Sequence, residues 1–426
     1  MILPERPQRV NTLNHENNSD SPAAVRLLIP AGFDPADYLP AGLRPAMLAR
    51  YADQARYLIH KVAYGKMCDG RYRDSPVRLK ANLLRLYVKD AVRKSLIERG
   101  AVRSDGHYIV GQKCFGYELG EALSGMRLTW HAVTDRTLKS KLLDERRKLD
   151  LRFEPVHRHL IRHLNGVEID HAAAVAWLDG SEHARPSDCA AVDLIRRRDF
   201  NPHVCRYGRF HSGLTNLLSE LRGFLSYRGE RLVNLDVRNS QPLIFAAVLT
   251  REFAGAGMPD DIRLYIELCQ KGLFYDFLMD KAGVQAEGRK AFKLRFFGRV
   301  FFCENRQHSD DAALFACLFP HVNAVVRRMK ADDYTALACT LQGQESDIII
   351  NGVAGWCMRN IPEAFLATVH DSVVTTESHT GVIRQAMMDH FAQVGLTPTI
   401  NPEYLNPPQS PRKPPTPRRR ITLRSS

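Results

Sequence analysis

The sequence predicts an α+β fold, because strand and helix signals alternate through the second half of a 426-residue chain, after a mostly helical first half. Two apolar runs in the second half read as strands. One ends at Asp236, and the other is interrupted by the pair His370-Asp371 before it resumes. The interruption predicts a hairpin with Asp371 at its turn. In the first half, apolar residues recur at helical spacing from Pro45 to Lys66 and from Val77 to Gly100.

The end of the second helical stretch predicts a small hairpin. Gly100 is suited to close that helix as a C-terminal cap. The turn signal Asp105-Gly106 follows between short strand-like segments, and Phe115 to Leu119 reads as a further strand. Helices followed by a hairpin resemble a winged helix, so residues 23–125 are expected to form a helical, winged-helix-like domain. Such a domain either contacts DNA or is a structural module.

Residues 126–200 are helical and basic, and both ends of the chain are predicted to be disordered. The histidines at 157, 159 and 163 have no cysteine or acid at a zinc spacing, so they predict no metal site. Residues 1–22 lack periodic apolar positions, and residues 406–426 contain six prolines and six Lys or Arg without an acid. The tail could bind DNA loosely or be a solvated basic segment.

The charge of the chain favours a polyanionic partner. The formal net charge is +13 and the pI is about 9.4, so nucleic acid is the first candidate and an anionic membrane the weaker one. No apolar run approaches the roughly 20 residues of a membrane span, and no signal-peptide core is present. Nine cysteines without a C-x-x-C pair favour reduced thiols over a zinc ribbon or a disulfide framework. We therefore expect a cytoplasmic protein that does not enter a membrane.

Two strand-borne acids and one cationic helix face form the candidate site. Asp236 and Asp371 each lie at the end of a strand signal, where two carboxylates can share divalent cations. Between them in sequence, Arg289, Lys293 and Phe297 recur at i, i+4 and i+8 and fall near one helical face. Such a face can hold a triphosphate and stack a base.

The stretch from about 206 to 405 resembles the palm and fingers of family A DNA polymerases, the polymerase I class. Five segments occur in that family's order: Tyr207-Gly208-Arg209, Leu235 to Gln241, Arg289 to Phe301, Gln342 to Ile349, and Val369 to Ser372. Phe319 to Val322 also looks like the helix that follows the fingers in that family. The resemblance implies an antiparallel palm sheet with helices and reduced helical fingers in residues 201–405, preceded by a thumb-like region in residues 126–200.

The same resemblance implies residue roles for a DNA-directed DNA polymerase. Asp236, Asp371 and the Val237 carbonyl would hold two Mg²⁺ ions, for which Mn²⁺ can substitute. Arg289 and Lys293 would bind the triphosphate, with Lys293 also protonating the leaving pyrophosphate, while Phe297 would stack on the base. Arg209, Gln342 and His370 would contact the primer-template. The implied partners are a DNA primer-template and dNTPs, and the protein would act as a monomer.

Four departures from the family bear on the sugar and on proofreading. Gln241 stands where the DNA enzymes carry a long Glu that crowds the ribose 2′-OH, and Phe301 stands where a Tyr is usual, so both favour deoxynucleotides. Ser372 replaces a Glu and gives the H-D-S sequence of single-subunit RNA polymerases. No acidic exonuclease constellation precedes the palm, so proofreading is not expected.

The alternatives are an RNA polymerase or primase, and a non-catalytic DNA-binding initiator. A phage, plasmid or mobile element would suit such a short enzyme.

Overall fold

The computed structural model describes residues 25–68, 75–109, 114–181, 184–255, 257–369 and 371–408. The predicted disorder of residues 1–22 and of nearly all of 406–426 therefore falls outside the described residues. The chain divides into two compact units between Lys148 and Leu149. This division lies inside the predicted basic region 126–200, so the boundaries expected at 125/126 and 200/201 do not coincide with it.

The first unit is built from five short strands and five helices among its described residues. The strands are β1 (Arg26–Pro30), β2 (Val77–Arg78), β3 (Val102–Ser104), β4 (Gly116–Leu119) and β5 (Leu128–Ala132). The helices are α1 (Pro35–Tyr38), α2 (Pro45–Cys68), α3 (Ala81–Tyr87), α4 (Asp90–Glu98) and α5 (Arg136–Asp150). β1 pairs with β5, and the other three strands form an antiparallel sheet in the order β2-β4-β3. Residues 128–148 therefore belong to the same unit as β1, the first strand of the described chain.

The stretch predicted as one helix from Val77 to Gly100 is instead β2 followed by two helices. Val88 is extended, with φ −126° and ψ 124°, and it separates α3 from α4. Gly100 ends α4 with a φ of +78°, a conformation that glycine adopts without strain. A hairpin follows, but its pairing differs from the prediction: β3 pairs with β4, the segment predicted as a further strand, and not with the residues directly after the Asp105-Gly106 turn. Residues 110–113 lie outside the described residues. DNA contact by this unit stays a prediction.

The second unit contains eight strands and thirteen α-helices among its described residues. The strands are β6 (Val167–Ile169), β7 (His203–Val204), β8 (Phe210–His211), β9 (Leu225–Tyr227), β10 (Glu230–Val237), β11 (Leu366–Val369), β12 (Ser372–Thr376) and β13 (Ile400–Tyr404). The first helices are α6 (Pro155–Leu164), α7 (His171–Asp179), α8 (Pro186–Arg196), α9 (Gly213–Asn216), α10 (Ser240–Glu252), α11 (Asp260–Gln270) and α12 (Phe274–Lys281). The others are α13 (Arg289–Phe296), α14 (Asp310–Leu318), α15 (Pro320–Met329), α16 (Ala336–Ser346), α17 (Gly355–Asn360) and α18 (Thr380–Gln393).

A six-stranded antiparallel sheet is the centre of the second unit. Its order is β11-β12-β10-β9-β6, and β13 also pairs with β10. Leu232, Val233, Leu235 and Val237 of β10 are all buried, which fixes this strand in the core. The mixed helix and sheet content agrees with the predicted α+β class.

Two helices of the second unit continue into π-helical turns. α13 is followed by a π-helix at Phe297–Phe301, and α16 runs through a π-helix at Asp347–Ala354 into α17. Such turns often occur at functional sites because they redirect side chains. Among the described helices of both units, none is both long and apolar enough to cross a membrane.

Candidate active site

The two predicted acids lie at the same end of neighbouring strands. In the register of β10 with β12, Asp236 pairs with Ser372, and Asp371 directly precedes Ser372. Val369 pairs with Ser372 across the β11–β12 hairpin, so only positions 370 and 371 separate the two strands. The structure therefore brings Asp236 and Asp371 together, while His370, predicted at the primer terminus, lies outside the described residues.

Ser372 has a structural task in this hairpin. Its side chain is buried, and Oγ donates a hydrogen bond of 2.8 Å to the Val369 carbonyl oxygen. The hydroxyl closes the two-residue loop that carries Asp371. A serine here is therefore explained by the turn, without reference to the sugar of a substrate.

The electrostatics of the acid pair suit a divalent cation. Burial, followed by the negative charge of Asp371, raises the pKa of Asp236 to about 6, although Lys293 and Arg238 act in the opposite direction. Asp236 keeps exposed surface at the strand end, but the protein around its carboxyl removes enough water to disfavour the charge. Two mutually repelling carboxylates are the donor type that Mg²⁺ prefers, and a bound cation would relieve the repulsion. Val237, the third predicted ligand, is the last residue of β10.

Among the described residues, no third acid, histidine or cysteine lies where it could bind the same metal ion as Asp236 and Asp371. No group of three or more such side chains is arranged there to hold a metal ion. Any remaining ligands must therefore come from the backbone, from water or from a substrate.

The predicted cationic face of α13 is organised around Tyr275 of α12. The Arg289 guanidinium lies 6.0 Å and the Lys293 Nζ 5.8 Å from the centre of the Tyr275 ring. Phe297 packs edge-on against the same ring at 6.0 Å, and Arg289 is ion-paired with Asp276. The charge of Lys293 also lowers the pKa of Asp236, so α13 faces the acid pair.

Tyr275 itself has a buried hydroxyl group without a hydrogen-bond partner among the described residues. Burial raises its pKa well above the ordinary value, and the nearby charge of Asp371 acts in the same direction. The sequence carries no signal for this residue, because its place beside α13 depends on the packing of α12.

Phe301, predicted to lie at the nucleotide, is instead in the aromatic core. It is 0% exposed and packs against Phe245, Phe296 and Phe315 with ring centres 5.2–6.1 Å apart. The π-helical turn after α13 explains the difference, since it changes the direction of side chains beyond Phe297. In this structure Phe301 has no surface to offer a nucleotide.

A third acid, Glu345 of α16, connects two predicted site residues. One carboxylate oxygen accepts a hydrogen bond from Arg209 Nε at 2.8 Å and lies 2.7 Å from Arg209 Nη2 in an ion pair, and the other accepts a hydrogen bond from Gln241 Nε2. Burial and the charge of Asp371 raise the pKa of Glu345, against the effect of Arg209. Gln342 lies one turn earlier on the same helix, so it shares this face. Glu345 was missed because it occupies a variable position of the Q-G-x-x-x-D segment.

Arg238 is a further cation that the sequence analysis did not select. Its charge lowers the pKa of both Asp236 and Arg289, so it lies near both. Gly272 makes room for it: a Cβ there would lie 2.8 Å from Arg238 Cδ, and the φ of +71° favours glycine as well. The only available signal was its position inside the segment from Leu235 to Gln241.

The fold is similar to that of solved structures, although the sequence comparisons find no match. No protein-family model matches the sequence, and neither does any curated protein. The chain is similar to the POL domain of Pol1 from M. smegmatis, solved in complex with a DNA primer-template and dNTP. The TM-score is 0.40 and the sequence identity 15%, over 63% of this chain and 73% of that one.

Proposed function

We propose that this protein is a DNA-directed DNA polymerase that extends a primer with dNTPs. The observation that carries the proposal is the meeting of Asp236 and Asp371 at adjacent strand ends, within the electrostatic reach of Lys293 on α13. Acids that share a cation beside a cationic helix are what nucleotidyl transfer requires. The order of the five segments in the sequence supports the same conclusion.

The chain's own residues bind and orient the nucleotide. Arg289, Lys293 and Arg238 provide three positive charges for the triphosphate, and Phe297 provides an aromatic ring at the end of the same face. Lys293 is exposed, so its ammonium can reach a phosphate and transfer a proton to the departing pyrophosphate. Arg209 and Gln342 border the site on the side of α16, where we place the primer-template.

Asp236 and Asp371, with the Val237 carbonyl, would hold Mg²⁺. When bound, two such ions lower the pKa of the primer 3′-OH and stabilise the charge of the pyrophosphate. The raised pKa of Asp236 supports this role, because the carboxylate is destabilised until a cation is present.

Gln241 is our candidate for selection against ribonucleotides. It lies in the first turn of α10, two residues after Asn239, whose left-handed conformation (φ +56°) makes a tight link from β10. This link keeps Gln241 close to Asp236 along the chain. Phe301 supports the site only through the packing behind α13, so we assign it no contact with the sugar.

The experiment is single-nucleotide incorporation on a primed DNA template with Mg²⁺, using dNTPs and rNTPs in parallel. We expect dNTP incorporation by the wild type and a loss of about 10³-fold or more in Asp236→Asn and in Asp371→Asn. Asp389→Asn, which changes an exposed acid of α18, is the matched control and should retain activity.

Other outcomes identify the alternatives. A wild type that binds DNA without incorporating either sugar would be the non-catalytic binder, and a preference for rNTPs would indicate an RNA polymerase or primase. Retention of activity in either acid variant would remove the assigned site.

A further inference from the structure

The side chain of Glu345 lies between two residues on different elements. Arg209 directly precedes β8, and Gln241 lies in the first turn of α10. Both side chains donate hydrogen bonds to the same carboxylate, that of Glu345 on α16. Glu345 is 2% exposed, so this carboxylate has left water and depends on its protein partners. Its two oxygens are divided between them, one for Arg209 and one for Gln241.

This arrangement fixes the orientation of the Gln241 amide. Gln241 donates from Nε2 to Glu345 Oε2, and an oxygen of an ionised carboxylate can only accept. Gln241 Oε1 is then directed elsewhere and is buried without a partner in the described residues. An unrestrained Gln side chain populates several rotamers, and holding it in one of them costs conformational entropy. The bond to Glu345 supplies that restriction.

The loop that carries Arg209 is held against the same helix. A Cβ added to Gly208, which has a φ of +81°, would lie 3.2 Å from the Ser346 Cβ, so the loop backbone approaches α16 closely. Arg209 thus reaches Glu345 from a constrained position. Its positive charge compensates the negative charge of Glu345. The three side chains form one connected unit.

We propose that Glu345 is a positioning residue for sugar selection, which holds Gln241 against the nucleotide and links it to Arg209 on the template side. This inference rests on the proposed polymerase function. A blocking side chain excludes a 2′-OH only if it cannot move aside. Release of Gln241 from Glu345 therefore admits ribonucleotides without removing the blocking residue itself.

The test compares kcat/KM for a dNTP and the matching rNTP on one primed template. We expect Glu345→Ala to lower the discrimination ratio about tenfold, as for loss of a hydrogen bond to a charged group. Glu345→Gln keeps one acceptor oxygen and should lose less. In a Gln241→Gly background, Glu345→Ala should change the ratio by less than about twofold, because the residue through which Glu345 acts is gone.

A matched control separates positioning from general loss of stability. Arg295 and Asp311 form a similar pair in which a nearly buried carboxylate accepts from Nε at 2.6 Å and from Nη2 at 3.0 Å. Asp311→Asn should destabilise the fold with no change in the sugar ratio.

The outcomes are distinguishable. An unchanged ratio in both Glu345 variants, or an equal fall in the ratio with and without Gln241, overturns the inference while the polymerase function stands. A wild type that incorporates no nucleotide overturns both. If Glu345→Ala does not fold, Glu345→Gln alone decides: a reduced ratio supports the inference and an unchanged ratio refutes it.

Discussion

Asp53 of the first unit and Asp236 of the second are both desolvated acids, but their surroundings have opposite effects. The Asp53 side chain is 0% exposed and accepts hydrogen bonds from Thr134 N (2.6 Å), Thr134 Oγ1 (2.9 Å), Asp135 N (2.7 Å) and Arg56 Nη1 (3.1 Å). Burial alone would raise the pKa of Asp53, but these bonds outweigh burial and lower it. Asp236 faces another carboxylate, and its pKa rises to about 6.

The difference indicates which acid stabilises the fold and which one serves a ligand. Asp53 holds the turn that leads into α5, and every donor around it belongs to the protein. Asp236 is repelled by Asp371 and carries an unfavourable charge that a cation can compensate. An acid whose charged form is disfavoured by burial and by a neighbouring acid is typical of a functional site.

Removal of the Asp53 carboxylate should have the largest effect on stability. Asp53→Ala leaves two backbone N–H groups and Arg56 without their acceptor in a buried place, so we expect a loss of about 4 kcal/mol in the free energy of unfolding of the first unit. Hydrogen exchange of the α2 amides in the full chain would measure it. Asp90→Ala, at a half-exposed acid of α4, is the control with little effect. A loss below about 1 kcal/mol would contradict the comparison.

Loss of the Lys293 charge should affect the reaction and spare the fold. Lys293→Ala should lower the rate of dNTP incorporation by 10²- to 10³-fold, since a charged contact at the transition state is worth about 3–4 kcal/mol. Lys281→Ala, which removes an exposed lysine at the end of α12 that pairs with Asp280, is the control. Equal activity of the two variants would place the triphosphate elsewhere.

Asp236→Asn should raise stability while it removes activity. The folded-state pKa of Asp236 lies above the unfolded value of about 4, so this carboxyl costs stability progressively above about pH 4, and the cost is complete above about pH 6. We expect a gain on the order of 1 kcal/mol at pH 8, after allowance for solvent screening, and none at pH 3.5, where the acid is protonated in both states. Thermal unfolding at the two pH values measures the gain.

Mg²⁺ gives a second measurement on the same variant. Added Mg²⁺ should raise the unfolding temperature of the wild type more than that of Asp236→Asn, because ligand binding stabilises the folded state. An equal rise in the unfolding temperature of both proteins would mean that Asp236 does not bind the metal.

The sequence could predict those parts of the site that depend on local patterns. Apolar runs that end in Asp236 and resume after Asp371 specify a strand and a hairpin, and the spacing of Arg289, Lys293 and Phe297 specifies one helix face. Long-range partners have no such signal. Glu345 meets Gln241 across 104 residues and Arg209 across 136, and these contacts arise only from the packing of α16.

Two further differences have local physical causes. The helical spacing from Val77 to Gly100 continues across Val88, but this β-branched residue is extended and divides the pattern into two helices. Phe301 follows the helical spacing of α13 in sequence, yet the π-helical turn carries it into the core. Periodicity predicts the type of an element better than the residue at which it ends or changes.

The smallest expected effect concerns the ion pair between Asp276 and Arg289, which is partly exposed on both sides. A triphosphate must compete with Asp276 for this guanidinium, so Asp276→Asn should lower the KM for dNTP about twofold, within the range of 0–1 kcal/mol for surface pairs. kcat should stay unchanged, because the triphosphate displaces Asp276 from Arg289 equally in the bound ground state and in the transition state. Asp280→Asn on the same helix is the control, since its exposed acid pairs with Lys281 instead. A higher KM in Asp276→Asn would mean that Asp276 orients Arg289 for the phosphate rather than competing with it.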